Sequence, residues 1–304
     1  MNRPIAINPA IRAPSISATI ELLKPITWFA PMWAFACGMV ASGASLEERW
    51  PYLLGGVLLA GPLICGTSQA VNDWFDRHVD AINEPNRVIP SGRMPGRWGL
   101  RVAIANTLLS IVFAALLGWW VFAAALVGLV LAWAYSAPPF RLKRNGWMGN
   151  AAVGLCYEGL PWFTAAAAAI GAFPGHPTVA MALLYSIGAH GIMTLNDFKS
   201  VEGDRRMGLD SLPVLLGVDR AARLACVVMA VPQVVVIGLL VHWGFPFHAA
   251  AVGLLLALQF ACMARMLRDP LRFAPWYNAT GTTLYVLGMM AAALALRAMA
   301  GGGV

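Results

Sequence analysis

The sequence predicts an all-α membrane protein, a bundle of nine transmembrane helices around a central cavity that opens at the cytoplasmic face. Apolar residues make up 59% of the 304 residues and charged residues only 12%, a balance typical of polytopic membrane proteins. Long apolar segments recur along the whole chain, and the basic residues fall almost entirely on one side of them. Two acidic stretches at the ends of apolar segments predict where the cavity opens.

The apolar segments define the predicted spans. A window of about 19 residues finds nine that are long enough to cross a bilayer. They are 22–43, 52–75, 99–118, 120–136, 150–171, 178–198, 221–242, 247–267 and 278–299. Residues 1–20 are polar, contain three prolines and lack the apolar core of a signal peptide. We therefore expect a loose or interfacial cytoplasmic segment over 1–20 and one transmembrane domain over 21–304.

The basic residues orient the predicted spans. When successive loops are assigned to alternate sides, 19 of the 21 Lys and Arg residues fall on the side of the N-terminus, and only Arg49 and Arg297 do not. The positive-inside rule then places the N-terminus in the cytoplasm and the C-terminus outside. The net charge of +7 is therefore a topology signal and does not indicate a nucleic-acid partner.

Two acidic stretches, 72–80 and 196–204, share one template and each ends an apolar segment. Both contain Asn-Asp, a polar residue three positions further on and an Asp four beyond that. On a continuous helix these positions fall within an arc of about 100°. Carboxylates beside lipid cost roughly 2.5–3.5 kcal/mol each at mid-bilayer, which favours a functional site. The recurrence after 124 residues predicts two parallel helices whose motifs meet around one cavity.

Carboxylates spaced in this way offer hard oxygen ligands. Mg²⁺ prefers such ligands together with water and phosphate oxygens. The loops that follow both stretches are rich in arginine, which supplies forked donors for phosphate. Acids beside cations thus indicate a metal-bridged diphosphate pocket, with a hydrocarbon tail in the apolar bundle. A structural charge network at the helix ends is the alternative interpretation.

Two ionisable residues lie inside predicted spans, where such residues are site candidates. His190 is seven residues before Asp197, so we expect it on the same face about two turns deeper, either as a ligand or as a hydrogen-bonded core residue. For Glu158, a structural hydrogen bond with a neighbouring helix is the favoured interpretation.

Three stretches of the chain resemble the UbiA superfamily of intramembrane prenyltransferases, and most of all its chlorophyll synthase branch, in particular the bacteriochlorophyll synthases. The resemblance covers nearly the whole chain. It rests on NDWFDRHVDAINEPNRVIPSGRMP (72–95), YSAPPFRLKRNGWMGNAAVGLCYEGLPW (135–162) and HGIMTLNDFKSVEGDRRMGLDSLPVLLG (190–217). In the last of these, Ser200 stands where many relatives have Asp.

The resemblance implies nine transmembrane helices, dependence on Mg²⁺ and a C20 isoprenoid diphosphate as donor. It implies that the propionate of bacteriochlorophyllide is esterified with geranylgeranyl or phytyl diphosphate and that diphosphate is released. It also implies a multi-pass protein in the bacterial inner membrane, with its active site towards the cytoplasm.

The resemblance further implies roles for individual residues. Five aspartates are expected to hold Mg²⁺ and to act in catalysis: Asp73, Asp76, Asp80, Asp197 and Asp204. The expected substrate-binding residues are Asn72, Arg87, Arg93, Lys143, Asn196, Lys199 and Arg205. His190 is a hypothetical contact of the central metal or the periphery of the chlorin.

Other functions remain open at this stage. The nearest is a prenyltransferase for another acceptor, such as a quinone precursor or a haem. A transporter would place charges along a path through the membrane, whereas most acids here cluster at one face. A pigment-binding scaffold without turnover would leave the aspartates unexplained.

Overall fold

The computed structural model describes residues 13–301, and these residues form helices joined by turns, without a β-strand. Eight of the helical segments are long and apolar enough to cross a membrane. They are Leu46–Asn83, Trp98–Leu117, Trp119–Ser136, Gly146–Ile170, His176–Lys199, Val218–His242, Pro246–Met266 and Pro270–Gly301. The predicted all-α membrane fold is therefore confirmed.

The first predicted span, 22–43, is divided in the structure. Helix α1 (Ile16–Leu23) ends at Lys24, and a 3₁₀ turn over Pro25–Thr27 precedes α2 (Phe29–Ala41). Proline disfavours right-handed helical backbone in the residue before it, which ends α1 at Lys24. Lys24 itself adopts a left-handed conformation with φ of 48°. The 13 residues of α2 extend about 20 Å, less than a bilayer core of about 30 Å. The predicted count of nine spans is thus not confirmed: eight long spans and one short apolar helix are present among residues 13–301.

Helix α1 occupies part of the segment that the sequence predicts to be loose. The Ser15 hydroxyl accepts a hydrogen bond from the Ala18 amide at 3.2 Å and so caps the helix. Ala18 and Leu22 are buried against Ala70 and Val71 of the second span, so this part of the N-terminal segment is packed. Residues 1–12, which make up the rest of it, lie outside the described residues.

The remaining helices follow in simple order. The span Leu46–Asn83 contains α3 (Leu46–Leu58), a π-helical turn (Leu59–Cys65) and α4 (Gly66–Asn83). A second π-helical turn, Leu155–Gly159, joins α7 to α8. The others are α5 (Trp98–Leu117), α6 (Trp119–Ser136), α7 (Gly146–Gly154), α8 (Leu160–Ile170), α9 (His176–Asn196), α10 (Val201–Arg206), α11 (Leu212–Leu216), α12 (Val218–His242), α13 (Pro246–Met266) and α14 (Pro270–Gly301).

Small residues let α9 pack closely between two neighbours. A Cβ on Gly154 of α7 would lie 2.6 Å from the Ser186 carbonyl oxygen, and a Cβ on Gly191 would lie 2.5 Å from the Ala225 carbonyl oxygen of α12. Helices in membranes use such residues because association depends on close van der Waals contact. This packing fixes the position of α9, whose last residue, Asn196, begins the second acidic motif.

We predict that Gly191→Ala destabilises the protein because the added methyl group meets backbone of α12. Overpacking of this kind costs typically 1–3 kcal/mol. Thermal unfolding in detergent should show a lower midpoint for this variant. The control is Gly238→Ala on α12, whose added Cβ has no neighbour within 4 Å. Equal midpoints for both variants would contradict the close packing of α9 on α12.

Candidate functional site

The first acidic motif lies on one uninterrupted helix, α4, as the sequence predicts. Asp73 and Asp80 are buried, and Asp76 is more accessible, with a side chain 20% exposed. Asn72 donates its amide to Asp76 Oδ2 and to Ser136 Oγ, both at 3.1 Å. The amide of Asn72 therefore links the motif to the end of α6.

Each carboxylate of the first motif is paired with a cation. Lys24 Nζ lies 2.6 Å from Asp73 Oδ1, and Lys143 Nζ lies 2.5 Å from Asp76 Oδ2. Arg87 reaches two acids, with its Nη1 at 2.9 Å from Asp80 and at 3.5 Å from Asp73. The three cations come from the end of α1, the loop after α4 and the loop after α6. Their charges offset the cost of placing carboxylates at the end of an apolar bundle.

This environment shifts the pKa values of two of these cations in opposite directions. Burial alone would lower the pKa of the Arg87 guanidinium, but the Asp73 and Asp80 carboxylates raise it overall. Burial lowers the pKa of the Lys143 ammonium, and the neighbouring Asp76 carboxylate offsets only part of that effect. Arg87 therefore keeps its positive charge, whereas the positive charge of Lys143 depends on its ion pair with Asp76.

The second acidic motif departs from the predicted single helical face. Helix α9 ends at Asn196, a 3₁₀ turn covers Asp197–Lys199, and α10 starts only at Val201. The cause lies in local hydrogen bonding, because the Ser200 amide donates to the Asp197 carbonyl oxygen at 3.1 Å, three residues back. The chain turns at this point, so the template positions of the second motif do not share one continuous helix.

The carboxylates of the second motif have polar partners but no paired cation. Asn150 Nδ2 donates to Asp197 Oδ2 at 3.2 Å, and Ser200 Oγ donates to Asp204 Oδ2 at 3.1 Å. Among the ion pairs formed within residues 13–301, none includes Asp197 or Asp204. The carboxylates of the second motif therefore lack the ion pairs that those of the first motif form.

Both motifs contribute to the wall of one cavity of about 760 Å³, the first through Asn72 and the second through Asn196 and Asp197, whereas Asp73, Asp76 and Asp80 do not line it. Five predicted site residues line it: Asn72, Arg87, Asn196, Asp197 and Lys199. A smaller pocket of about 170 Å³ has Lys143 and Asp204 in its wall, and Tyr135 and Asp197 line both spaces. The two loops that enclose the smaller pocket are tied by main-chain hydrogen bonds, of 2.8 Å from Gly146 N to Asp210 O and 2.9 Å from Asp210 N to Arg144 O.

Three predicted contacts are not brought into this arrangement. Arg93 forms a bidentate ion pair with Glu21, and both side chains are about half exposed. Arg205 is 63% exposed and pairs with Glu202. The His190 ring packs against Trp147 at 5.7 Å between centroids and is absent from the lining of either space.

The hydrogen bond predicted for Glu158 is also absent: in the part of the chain that the structure describes, its Oε2 has no partner. Conversely, sequence reasoning missed Lys24, which both pairs with Asp73 and lines the cavity. A lone cation inside the apolar window 22–43 was the available signal. Asn150, the partner of Asp197, had no comparable signal because an amide on a helix is usually structural.

The donor set suits Mg²⁺ that is bound together with a phosphate ligand. Within residues 13–301, no three His, Cys, Asp or Glu side chains come together as a complete protein cage for a metal. Mg²⁺ commonly takes only one or two carboxylates and completes its shell with water and substrate phosphates. Asp197, which lies on the cavity wall without a paired cation, meets that need, whereas Asp76, the most accessible acid of the first motif, is held by Lys143.

Comparison with known proteins gives a consistent result. The UbiA prenyltransferase family matches residues 31–279. The bacteriochlorophyll synthase 33 kDa chain of Cereibacter sphaeroides is 57% identical over 286 residues, which cover 94% of this chain and 95% of that protein. The chloroplastic chlorophyll synthase of Oryza sativa subsp. japonica is 38% identical over 287 residues, 91% of this chain and 76% of that one. A solved UbiA homologue from Archaeoglobus fulgidus, bound to GPP and Mg²⁺, shares the fold with a TM-score of 0.70 and 21% identity, across 92% of this chain and 99% of its own.

We predict that Arg87→Ala weakens binding of inorganic diphosphate in the presence of Mg²⁺ by at least about tenfold. Loss of one hydrogen bond to a charged group costs about 1.5–3 kcal/mol. Titration calorimetry of the purified protein measures the dissociation constant. Arg205→Ala is the control, since Arg205 is exposed and absent from the cavity wall. Equal weakening by both substitutions would show that general surface charge, and not the cavity, holds diphosphate.

Proposed function

Because the chain belongs to the UbiA prenyltransferase family, we propose that it transfers a C20 isoprenoid chain, geranylgeranyl or phytyl, to the propionate of bacteriochlorophyllide. Diphosphate is the leaving group. The observation that carries this proposal is the cavity at the end of an apolar bundle, with both acidic motifs and several cations in or beside its wall. Such a cavity suits a donor with a charged head and a long hydrocarbon tail.

The acceptor is assigned from the relatives. The protein from Cereibacter sphaeroides, 57% identical over nearly its full length, is a bacteriochlorophyll synthase, and the plant chlorophyll synthase is more distant at 38%. This order supports bacteriochlorophyllide over other acceptors. The acceptor's propionate is ionised near neutral pH, so the reaction requires no strong protein base.

Five aspartates would hold Mg²⁺: Asp73, Asp76, Asp80, Asp197 and Asp204. The metal supplies positive charge that stabilises the departing diphosphate. Asp197 of the second motif and Arg87, the ion-pair partner of Asp73 and Asp80, both line the cavity, which supports a donor head that lies between the two motifs. The residues Asn72 and Asn196, which line the cavity beside them, support this position by hydrogen bonding.

The cations supply the other half of the leaving-group site. Lys24, Arg87 and Lys143 are within hydrogen-bond distance of the first-motif carboxylates, so they lie where diphosphate oxygens would replace or share those partners. Lys199 adds a further cation to the wall of the cavity. Charge-assisted donors held in place before the reaction stabilise the negative charge that develops on the diphosphate.

We propose that the protein lies in a bacterial inner membrane, and the distribution of Lys and Arg supports a cytoplasmic orientation for this end of the bundle. An isoprenoid diphosphate made in the cytoplasm would reach the site with its head in the polar mouth and its tail among apolar helices. The partners are thus the C20 diphosphate, bacteriochlorophyllide and the lipid bilayer.

The proposal is tested by offering membranes that contain the protein three acceptors separately: bacteriochlorophyllide, chlorophyllide and an aromatic quinone precursor. Each assay contains geranylgeranyl diphosphate and Mg²⁺, and chromatography identifies the prenylated product. We expect esterified bacteriochlorophyllide as the main product and no product after removal of Mg²⁺ with a chelator.

The matched variants for this assay are Asp76→Ala and Asp219→Ala. We expect Asp76→Ala to lower the rate by about 100-fold or more, the effect of removing one leaving-group contact. Asp219 is exposed at the start of α12, and its variant should match the wild type. Prenylation of the quinone precursor alone, or full activity in Asp76→Ala, would contradict the proposal.

A further inference from the structure

Glu158 is a buried acid without a partner. The residue is 4% exposed and lines the 760 Å³ cavity. Over residues 13–301 it forms no side-chain hydrogen bond and no ion pair, and its Oε2 is fully enclosed. Buried polar groups in native proteins almost always have partners, and an ionisable group inside a membrane span indicates a functional site.

The position of Glu158 is also unusual in its backbone. It lies in the π-helical turn Leu155–Gly159, which interrupts the span Gly146–Ile170. Such turns occur frequently at functional sites because they redirect a side chain. The turn contacts α9 at Ser186, where a Cβ on Gly159 would lie 2.2 Å from the hydroxyl oxygen. Ser186 precedes Asp197 by 11 residues, a depth of about 16 Å along the helix.

Two further unpartnered polar atoms line the same cavity from α14. Thr282 Oγ1 and Asn278 Oδ1 are both buried without a hydrogen-bond partner among the described residues. Thr282 differs from its neighbours in this respect. Thr280 and Thr283 each donate to the carbonyl oxygen four residues earlier, at 2.9 and 2.7 Å, whereas Thr282 does not. Two separate elements thus direct unsatisfied groups into one space.

Apolar side chains also line this cavity, among them Ala189, Ile192, Met193 and Val286. A space with apolar walls and a few isolated hydrogen-bonding groups suits a large, mainly apolar molecule with a few polar atoms at its edge. A diphosphate head does not match such a surface, whereas a macrocyclic ring with peripheral carbonyl oxygens does.

We propose that Glu158, in its protonated form, donates a hydrogen bond to a peripheral carbonyl oxygen of the acceptor ring, and that Thr282 provides a second donor. An unpaired carboxylate is strongly disfavoured in this position, whereas a neutral carboxyl group is a hydrogen-bond donor. These contacts hold the acceptor ring inside the cavity, so that the ring's carboxylate points to the donor between the two acidic motifs. The inference rests on the proposed function and assigns the acceptor's binding residues within it.

The test compares Glu158→Leu with Glu158→Gln. Leucine removes the donor without leaving a buried polar group, so the variant should fold, and glutamine retains a neutral donor of the same length. We expect Glu158→Leu to raise KM for bacteriochlorophyllide by about 3- to 10-fold, the effect of one neutral hydrogen bond, with KM for geranylgeranyl diphosphate unchanged. Glu158→Gln should remain close to the wild type.

A spectroscopic readout separates contact with the acceptor from a structural role. Resonance Raman spectra of bacteriochlorophyllide bound without donor should show a carbonyl stretch at lower frequency in the wild type and Glu158→Gln than in Glu158→Leu. An unchanged frequency and an unchanged acceptor KM in Glu158→Leu would overturn the inference. A similar rise in KM for both substrates would also overturn it.

The role of Thr282 as the second hydrogen-bond donor is tested with a separate pair of variants. Thr282→Val should weaken acceptor binding, and Thr280→Val should not, because the Thr280 hydroxyl is already bonded within α14. Equal effects of the two substitutions would remove Thr282 from the site. Failure of the inference is distinguishable from failure of the proposed function. If the wild type forms the ester while Glu158→Leu binds acceptor normally, only the inference fails, whereas a wild type that forms no ester overturns both.

Discussion

The structure depends on the compensation of carboxylates at the end of an apolar bundle. Asp73 and Asp80 are almost completely buried, a state that is strongly unfavourable for a carboxylate without counter-charge. Lys24 and Arg87 provide that charge, and each comes from outside α4. The ion pairs therefore also determine where the end of α1 and the loop after α4 lie, and so they shape the mouth of the cavity.

This arrangement gives the two motifs different properties although they share one template. The first lies on one helix and is neutralised by cations, whereas the second is bent by a 3₁₀ turn and has only amide and hydroxyl partners for Asp197 and Asp204. The carboxylates of the second motif, which form no ion pair among the described residues, are available to a cation from solution. A cation bound there would attract the anionic head of a donor, so binding of metal and of diphosphate would be coupled by charge.

The sequence predicted those features that depend on local pattern. Apolar composition and length identified the long spans, and the Asn-Asp template located two stretches that both contribute residues to the cavity wall. Features that depend on contacts between distant segments were not predictable in the same way. Lys24 forms an ion pair with Asp73, which is 49 residues away in the sequence, and Arg93 forms one with Glu21, which is 72 residues away. The turn after Asn196 was missed because Ser200 and its neighbours do not include a proline or another strong helix-breaking signal. His190 was expected on the cavity side, but the packing of α9 against α7 directs its ring to Trp147.

The central claim is that both acidic motifs act on one metal–diphosphate unit. Pulsed EPR of the solubilised protein, with Mn²⁺ in place of Mg²⁺ and a thiolo analogue of geranylgeranyl diphosphate, measures the coupling of the metal to phosphorus nuclei. The account predicts a ³¹P coupling in the wild type that is lost in Asp76→Asn and also in Asp197→Asn. Absence of the coupling in the wild type, or its persistence in either variant, would contradict the account.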